Sequence, residues 1–317
     1  MSPTTAEPIV QVCNLTMRFG KKEAVKRINF SVSRGAVHGF IGPNGAGKTT
    51  TIRILATLQL PTEGCFWIAG ENGLVEPRKA RQKIGYMPDF VGVYNGLTVA
   101  EYLDFFALAY RIHGPRRKTL LDSVVELTDL GDLLEVEVQV LSKGMRQRLC
   151  LAQTLLHDPE ILILDEPASG LDPRARIEFR ALLRELQQMG KTVFLSSHIL
   201  TELSSICDSV SIIEQGEIVA DGRIDDIMAR LAGSGISFQV RVSSRPEDAL
   251  AIFDAAPDVS RTRVDGNVVK FRFSGDEQRL HELWAPISSA GISIVTIRRE
   301  EEDLEHIFMK LTRGEVS

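Results

Sequence analysis

The segment Gly42-Pro43-Asn44-Gly45-Ala46-Gly47-Lys48-Thr49 constrains this chain more than any other, because it satisfies G-x-x-x-x-G-K-[ST] in full. An apolar run, Val37 to Ile41, precedes it, and a helix-like run, Thr50 to Leu58, follows. A strand therefore feeds a loop that opens a helix, as an α/β sheet requires. The glycines let backbone N–H groups close around a phosphate, the helix N-terminus faces the same point, and Lys48 adds a point charge. Thr49 is placed to offer a hydroxyl to Mg²⁺. The candidate nucleotide contacts are Gly42, Asn44, Gly45, Ala46, Gly47, Lys48, Thr49 and Thr50. An ordinary glycine-rich turn is the plain alternative, and the flanking runs argue against it.

A second run, Ile161 to Leu164, is continuously apolar and ends in Asp165-Glu166-Pro167. It suits a parallel strand buried on both faces, with carboxylates at the sheet edge where open α/β sheets bind ligands. Asp165 is a metal-ligand candidate, and Glu166 can orient and deprotonate a water. Thr192 to Ser196 reads as a further buried strand that delivers Ser197 and His198 to the same edge, where His198 can donate to a γ-phosphate. Asp89, after Pro88 at the end of a strand beginning at Ile84, stands where a polar side chain can reach a ligand, and from composition alone reads as a solvated loop carboxylate. Phe19, at the end of the first strand, either stacks on a base or closes the core edge.

Ile9 to Met17 and Val25 to Val32 alternate as strands around a Phe19-Gly20-Lys21-Lys22 turn. Between the strand at Ile84 and Asp165 the period becomes helical. Thr98 and Glu101 form a capping box, followed by a stripe of Tyr102, Phe105, Phe106, Ala109 and Tyr110 read as core packing. A second helix is expected from Pro115 to Leu130, stopped by Gly131. A third runs from Arg146 to His157, with Ser142 in Leu141-Ser142-Lys143-Gly144-Met145 as its N-cap. Residues 90–157 thus read as a helical insertion. Val210 to Glu214 and Gly216 to Ala220 form a hairpin, and Gly233-Ser234-Gly235 a linker. Beyond it, strands near Phe238, Val269 and Ile292 to Ile297 and helices from Pro246, Asp276 and Glu302 suggest a small layered domain without a catalytic cluster.

The net charge of −5 speaks against a nucleic-acid partner held by electrostatics. Four scattered cysteines, Cys13, Cys65, Cys150 and Cys207, suggest neither a zinc site nor a disulfide framework, and fit a reducing compartment. No signal peptide and no membrane span is legible, so work at a membrane would need another chain.

The phosphate loop, Leu141 to Met145, Asp165-Glu166, Ser169-Gly170-Leu171-Asp172 and His198 stand in the order and spacing of ATP-binding cassette proteins. The resemblance covers about residues 9 to 232. It implies an α/β fold: a P-loop NTPase core of ABC type with an inserted helical subdomain over residues 1–232, plus a small C-terminal α+β domain over 233–317. It also implies ATP and Mg²⁺ in a head-to-tail dimer with a second copy or a homologous subunit. Phe19 then resembles the adenine-stacking aromatic. Lys48 and Thr49 take phosphate and Mg²⁺, Asp165 the metal, Glu166 the attacking water and His198 the γ-phosphate. Ser142 and Gly144 complete the opposite site, and Asp172 crosses the interface. Two departures stand out: Lys143 and Met145 at variable signature positions, and Asp89 in place of a glutamine that touches Mg²⁺. The segment Glu302 to Leu311 resembles the tail of two-component exporter subunits, which implies an integral-membrane transporter partner and a peripheral position on the inner face of the cell membrane. A soluble cassette protein acting on ribosomes or DNA, and a nucleotide switch without turnover, are the alternatives. Members of the first kind carry a second cassette or a long coiled-coil insertion, and neither a second phosphate loop nor a heptad insertion appears in this sequence.

Overall fold

The computed structural model describes residues 8–89, 92, 94, 96–199, 206–227 and 236–300. The chain divides into two compact units, Met1–Ile224 and Asp225–Ser317. Phe90, the expected linker at residues 233–235 with its boundary, and the Glu302 to Leu311 segment lie outside the described residues.

In the first unit, β1 (Pro8–Phe19), β2 (Lys22–Ser33), β4 (Glu63–Ile68) and β5 (Glu71–Asn72) form an antiparallel sheet of order β2-β1-β4-β5. The second sheet has the order β10-β9-β3-β8-β7-β6, from β3 (Val37–Ile41), β6 (Ile84–Met87), β7 (Ile161–Leu164), β8 (Thr192–Ser197), β9 (Ser209–Glu214) and β10 (Glu217–Arg223). All of its neighbours are parallel except β10, which returns antiparallel on β9. That return uses Gln215 and Gly216, both at positive φ (47° and 86°), the two-residue hairpin turn that matches strand twist. Helix α1 (Lys48–Leu55) buries Ile52, Ile54 and Leu55 in one core with Val10, Phe30 and Phe66 of the antiparallel sheet and Phe40, Ile163 and Phe194 of the parallel one. The helix that follows the phosphate loop is thereby clamped by both sheets.

After α2 (Pro77–Lys83) and β6, the helical insertion consists of α3 (Val99–Ala109), α4 (Pro115–Leu127) and α5 (Lys143–Leu155), with two short 3₁₀ turns. The capping box at Thr98 and Glu101 is present. Helix α4 stops before Gly131. Asp129 takes the left-handed conformation (φ 53°) and Leu130 N–H bonds to Val125 O at 3.0 Å, a Schellman stop with aspartate in the usual glycine place. The aromatic stripe on α3 is not all core. Tyr102 is buried, but Phe105 is 48% and Tyr110 41% exposed, because the inward phase follows Val99, Tyr102, Leu103 and Ala107. Helix α6 (Pro173–Gln188), which starts on Asp172-Pro173, then leads to β8.

The second unit is an antiparallel sheet of order β12-β13-β11-β14, from β11 (Ile236–Val242), β12 (Val259–Asp265), β13 (Val268–Phe273) and β14 (Ile294–Glu300). Phe238, Val240, Val269 and Phe271 pack with Phe253 of α7 (Pro246–Asp254), Leu283 after α8 (Glu277–Glu282), and Ile287 of α9 (Ala285–Ser289).

One buried polar group marks the centre of the parallel sheet. His38 on β3 is 1% exposed and stacks on Phe30 and Phe194, with centroids 6.2 and 5.6 Å away. Its Nε2 meets Ser211 Oγ at 2.9 Å and its Nδ1 meets Ser209 Oγ at 2.8 Å. Ser211 donates to Asp221 at 2.5 Å, so it accepts from His38 Nε2–H, and Nδ1 accepts from Ser209. Burial lowers the His38 pKa from 6.5 to about 3. The depressed folded value gives stability that is full above the unfolded pKa and lost as pH falls from 6.5 toward 3. Unfolding by urea should accordingly show about 2 kcal/mol less stability from this group near pH 5 than near pH 7. The raised carboxyls of Asp165 and Asp221 act in the opposite sense. The check is thus the difference between the parent and His38→Gln, whose profile should be flatter over this range.

Candidate nucleotide-binding site

The phosphate loop is shaped by what its glycines touch. A Cβ on Gly42 would lie 2.2 Å from Ile213 O, and one on Gly47 (φ 113°) 2.6 Å from Ala24 O, so neither position has room for a side chain. Gly45 faces open space but sits at φ 82°, a conformation that favours glycine. Gly216 N–H donates to Ala46 O at 3.0 Å, which ties the loop to the β9–β10 hairpin.

Lys48, the first residue of α1, is buried, and its ammonium donates to Gly42 O at 2.7 Å and Pro43 O at 3.3 Å. It also pairs with Glu166 Oε1 at 3.3 Å. Glu166 turns out of β7 at φ 50°, in the left-handed region, so the turn begins at Glu166, one residue before Pro167. That twist lets consecutive carboxylates face the same edge. Glu166 Oε2 is 2.8 Å from His198 Nδ1. A neutral ring that donates from Nδ1 leaves Nε2 an acceptor, so His198 donates at both nitrogens only when protonated.

Asp165 is 1% exposed, accepts from Ser196 Oγ at 2.7 Å and from Thr49 Oγ1 at 3.4 Å. Burial raises its pKa most, Asp89 and Glu166 add to the rise, and the Ser196 and Thr49 hydrogen bonds oppose it. The Ser196 hydroxyl also accepts from Glu166 N–H at 2.9 Å. One buried serine therefore holds both members of the carboxylate pair. The motif reading passed over it, although a serine ending a buried parallel strand is itself a signal.

One cleft of about 430 Å³ is lined by Phe19, Asn44, Gly45, Gly47, Lys48, Thr49, Thr50, Asp89, Glu166 and His198, while the buried Asp165 meets it only through its hydrogen bond from Thr49. Lys22, Ala24 and Ser169 line it too, and sequence reading had not singled them out for that role. Gly42 and Ala46 shape the loop from behind. Phe19 is 51% exposed at the mouth, with its ring outside the core. Among the described residues no group of three or more His, Cys, Asp or Glu side chains gathers into a metal cluster.

Ser142, Gly144 and Asp172 lie elsewhere, on a second cleft of about 320 Å³ shared with Arg148, Arg174 and Glu178. Ser142 caps α5 by accepting from Met145 N–H at 3.3 Å, and Asp172 caps α6 by accepting from Ala175 N–H at 2.9 Å. Gly144 faces Ala175, 3.3 Å from where its Cβ would be, which packs the α5 start on the α6 start. Arg148 bridges Asp129 at 2.8 Å and Glu178 at 2.7 Å across this cleft.

Residues 25–169 match the family described as ABC transporter. Over 307 residues the chain is 34% identical to the linearmycin resistance ATP-binding protein LnrL of Bacillus subtilis, covering 96% of this chain and 98% of that one. It is 35% identical over 309 residues to the bacitracin transport ATP-binding protein BcrA of Bacillus licheniformis, again covering 96% and 98%. Among solved structures, an ATP-binding subunit of an ABC transporter superposes with TM-score 0.64 at 31% identity, over 71% of this chain and 93% of that one.

The shared serine yields a test. Ser196→Ala removes a donor from Asp165 and an acceptor from Glu166 N–H, which should lower ATP hydrolysis by roughly tenfold or more. Ser197→Ala, whose hydroxyl contacts only the Ile199 backbone among the described partners, should cost less. Steady-state phosphate release from the two variants checks the difference.

Proposed function

The chain belongs to the ABC transporter family as an ATP-binding, ATP-hydrolysing subunit, and from that premise we propose that it powers export through a separate membrane-spanning partner. Two cassettes, this chain with a second copy or a homologous subunit, share two nucleotides head to tail. The observation that carries the dimer is the division of the motifs between two clefts of one unit. A nucleotide in the first cleft meets Lys48, Thr49, Glu166 and His198. Ser142, Gly144 and Asp172 face a different cleft, so a second cassette must supply them.

On this reading the backbone of Gly42 to Thr50 and the Lys48 ammonium hold the phosphates, and Phe19 stacks on the base. Glu166 accepts the proton of the attacking water, placed by His198 and by Ser196 at its amide. A His198 ring protonated at both nitrogens keeps Glu166 on Nδ1–H and donates from Nε2–H to the γ-phosphate. Thr49, Asp165 and Asp89 offer hard oxygen donors, as Mg²⁺ prefers, and the raised Asp165 carboxyl supports that fit because a cation would offset its negative charge. When bound, Mg²⁺ neutralises charge at the phosphates.

Among the described residues no helix is long and apolar enough to cross a membrane. An exposed apolar patch gives a partner something to hold: Tyr94 and, on α3, Phe105 and Leu108. The Tyr94 and Phe105 rings meet edge-on at 5.6 Å, and Leu108 follows Phe105 at helical spacing, so these three form the patch. We assign it to the cytoplasmic face of the transporter subunit, which would hold the chain peripherally on the inner face of the membrane.

Glu166→Gln should retain ATP binding and accumulate an ATP-bound dimer while hydrolysis falls by a factor on the order of 10²–10⁴. Size-exclusion chromatography with ATP and phosphate-release assays read both effects, and hydrolysis at the parent rate would remove Glu166 as the base. Phe105→Glu should leave basal hydrolysis by the isolated chain unchanged and abolish co-purification with a membrane subunit from detergent extracts of the native host. Retained co-purification would move the docking surface off α3.

A further inference from the structure

Strands β1 and β4 bring two thiols face to face. Cys13 is the direct partner of Cys65 in an antiparallel register that also pairs Val10 with Ile68, Gln11 with Trp67 and Val12 with Phe66. Side chains alternate across a strand, and Val10, Val12, Phe66 and Ile68 enter the core, so both cysteines share the outer face. Each is half-buried, and neither borders the nucleotide cleft. Directly opposed residues of an antiparallel pair have Cα atoms about 4.5–5.5 Å apart, inside the roughly 4.4–6.8 Å range of disulfides. The backbones are already close beside the pair, since a Cβ on Gly64 would lie 2.4 Å from Asn14 O. Closing the bridge therefore asks for little strand movement.

We propose that Cys13 and Cys65 are a thiol modification site that closes reversibly to a cross-strand disulfide when the chain meets a peroxide. One thiolate attacks a peroxide oxygen: an S–O bond forms, the O–O bond breaks, and the departing hydroxide takes up a proton as water. The second thiol attacks the resulting sulfenic sulfur, forming S–S and expelling a second water. Two thiols and one hydrogen peroxide thus give one disulfide and two waters, with sulfur oxidised and peroxide reduced. Burial, and then the neighbouring Cys13 thiol, push the Cys65 thiol up, and because the two residues are directly opposed either sulfur can take the first attack and the other resolve it. The other cysteines serve neither role: Cys150 and Cys207 are buried, and burial pushes the Cys150 thiol up to about 12. The loop closed between residues 13 and 65 contains the phosphate loop and α1, so the bridge restrains that segment in the unfolded chain.

The test treats the reduced full chain with a small excess of hydrogen peroxide, alkylates the remaining thiols and maps the peptides. The expected result is a joined Cys13–Cys65 peptide lighter by two hydrogens, with a thermal midpoint raised by several degrees and restored by dithiothreitol. Cys65→Ser should hold a sulfenic acid at Cys13 that a 1,3-diketone probe captures, and Cys13→Ser should show no joined peptide and no thermal rise. Cys13 and Cys65 both remaining alkylatable, either one joining Cys150 or Cys207, or a rise in Cys13→Ser equal to that of the parent would overturn the proposal.

Discussion

The parallel register of β6, β7, β8 and β3 is the constraint on which the site depends. Met87 lies opposite Leu164, Leu164 opposite Leu195, and Ser196 and Ser197 opposite Phe40 and Ile41. The residues that follow on each strand then arrive at one edge: Asp89, Asp165 with Glu166, His198, and the phosphate loop. Because side chains alternate with period two, a slip of one residue in β8 would turn the Ser196 hydroxyl away from Asp165 and bring its neighbour in. The continuous apolar runs that build these strands are thus inseparable from the polar residues that end them. Burial on both faces holds the register, and the register positions the chemistry.

Much of this was legible because the relevant signals are local. The phosphate loop announces its strand and helix, the apolar run before Asp165 announces a buried parallel strand, and Ser142 and Asp172 sit where helix caps belong. What escaped was whatever depends on a neighbour in space. Ser196 matters through a hydrogen bond across to β7, and Lys22 and Ala24 reach the cleft only because the β1–β2 hairpin folds beside it. The exposed half of the α3 stripe escaped for a similar reason. Helical period shows which residues share a face, but not that Phe105 would stay 48% exposed against Tyr94, or that Tyr110 would stack on His157 and still be 41% exposed. Glu166 reaches the phosphate edge through its own left-handed backbone, which no local sequence signal marks.

The charge balance of the cleft is uneven, with physical consequences. Glu166 pairs with the one buried ammonium, that of Lys48, while burial first, and then the charges of Asp89 and Glu166, raise the Asp165 carboxyl. Hydroxyl donors from Ser196 and Thr49 offset part of that cost without adding charge. On the proposed reading, a phosphate ligand accompanied by its own cation fits such a site better than phosphate alone, which would only add negative charge beside the carboxylates.

The two clefts also differ in how free their donors are. Ser142 spends a lone pair as a helix cap, which leaves its O–H proton to donate, so capping α5 and contacting a phosphate are compatible roles. Lys48 is in the opposite position, with Gly42 O, Pro43 O and Glu166 sharing its donors. On the proposed reading, a γ-phosphate competes directly with Glu166 for that ammonium. Its arrival weakens the ion pair and frees a carboxylate oxygen to accept a proton from water. One ammonium thus serves both the base and the phosphate, which on that reading couples phosphate binding to activation of the base within a single side chain.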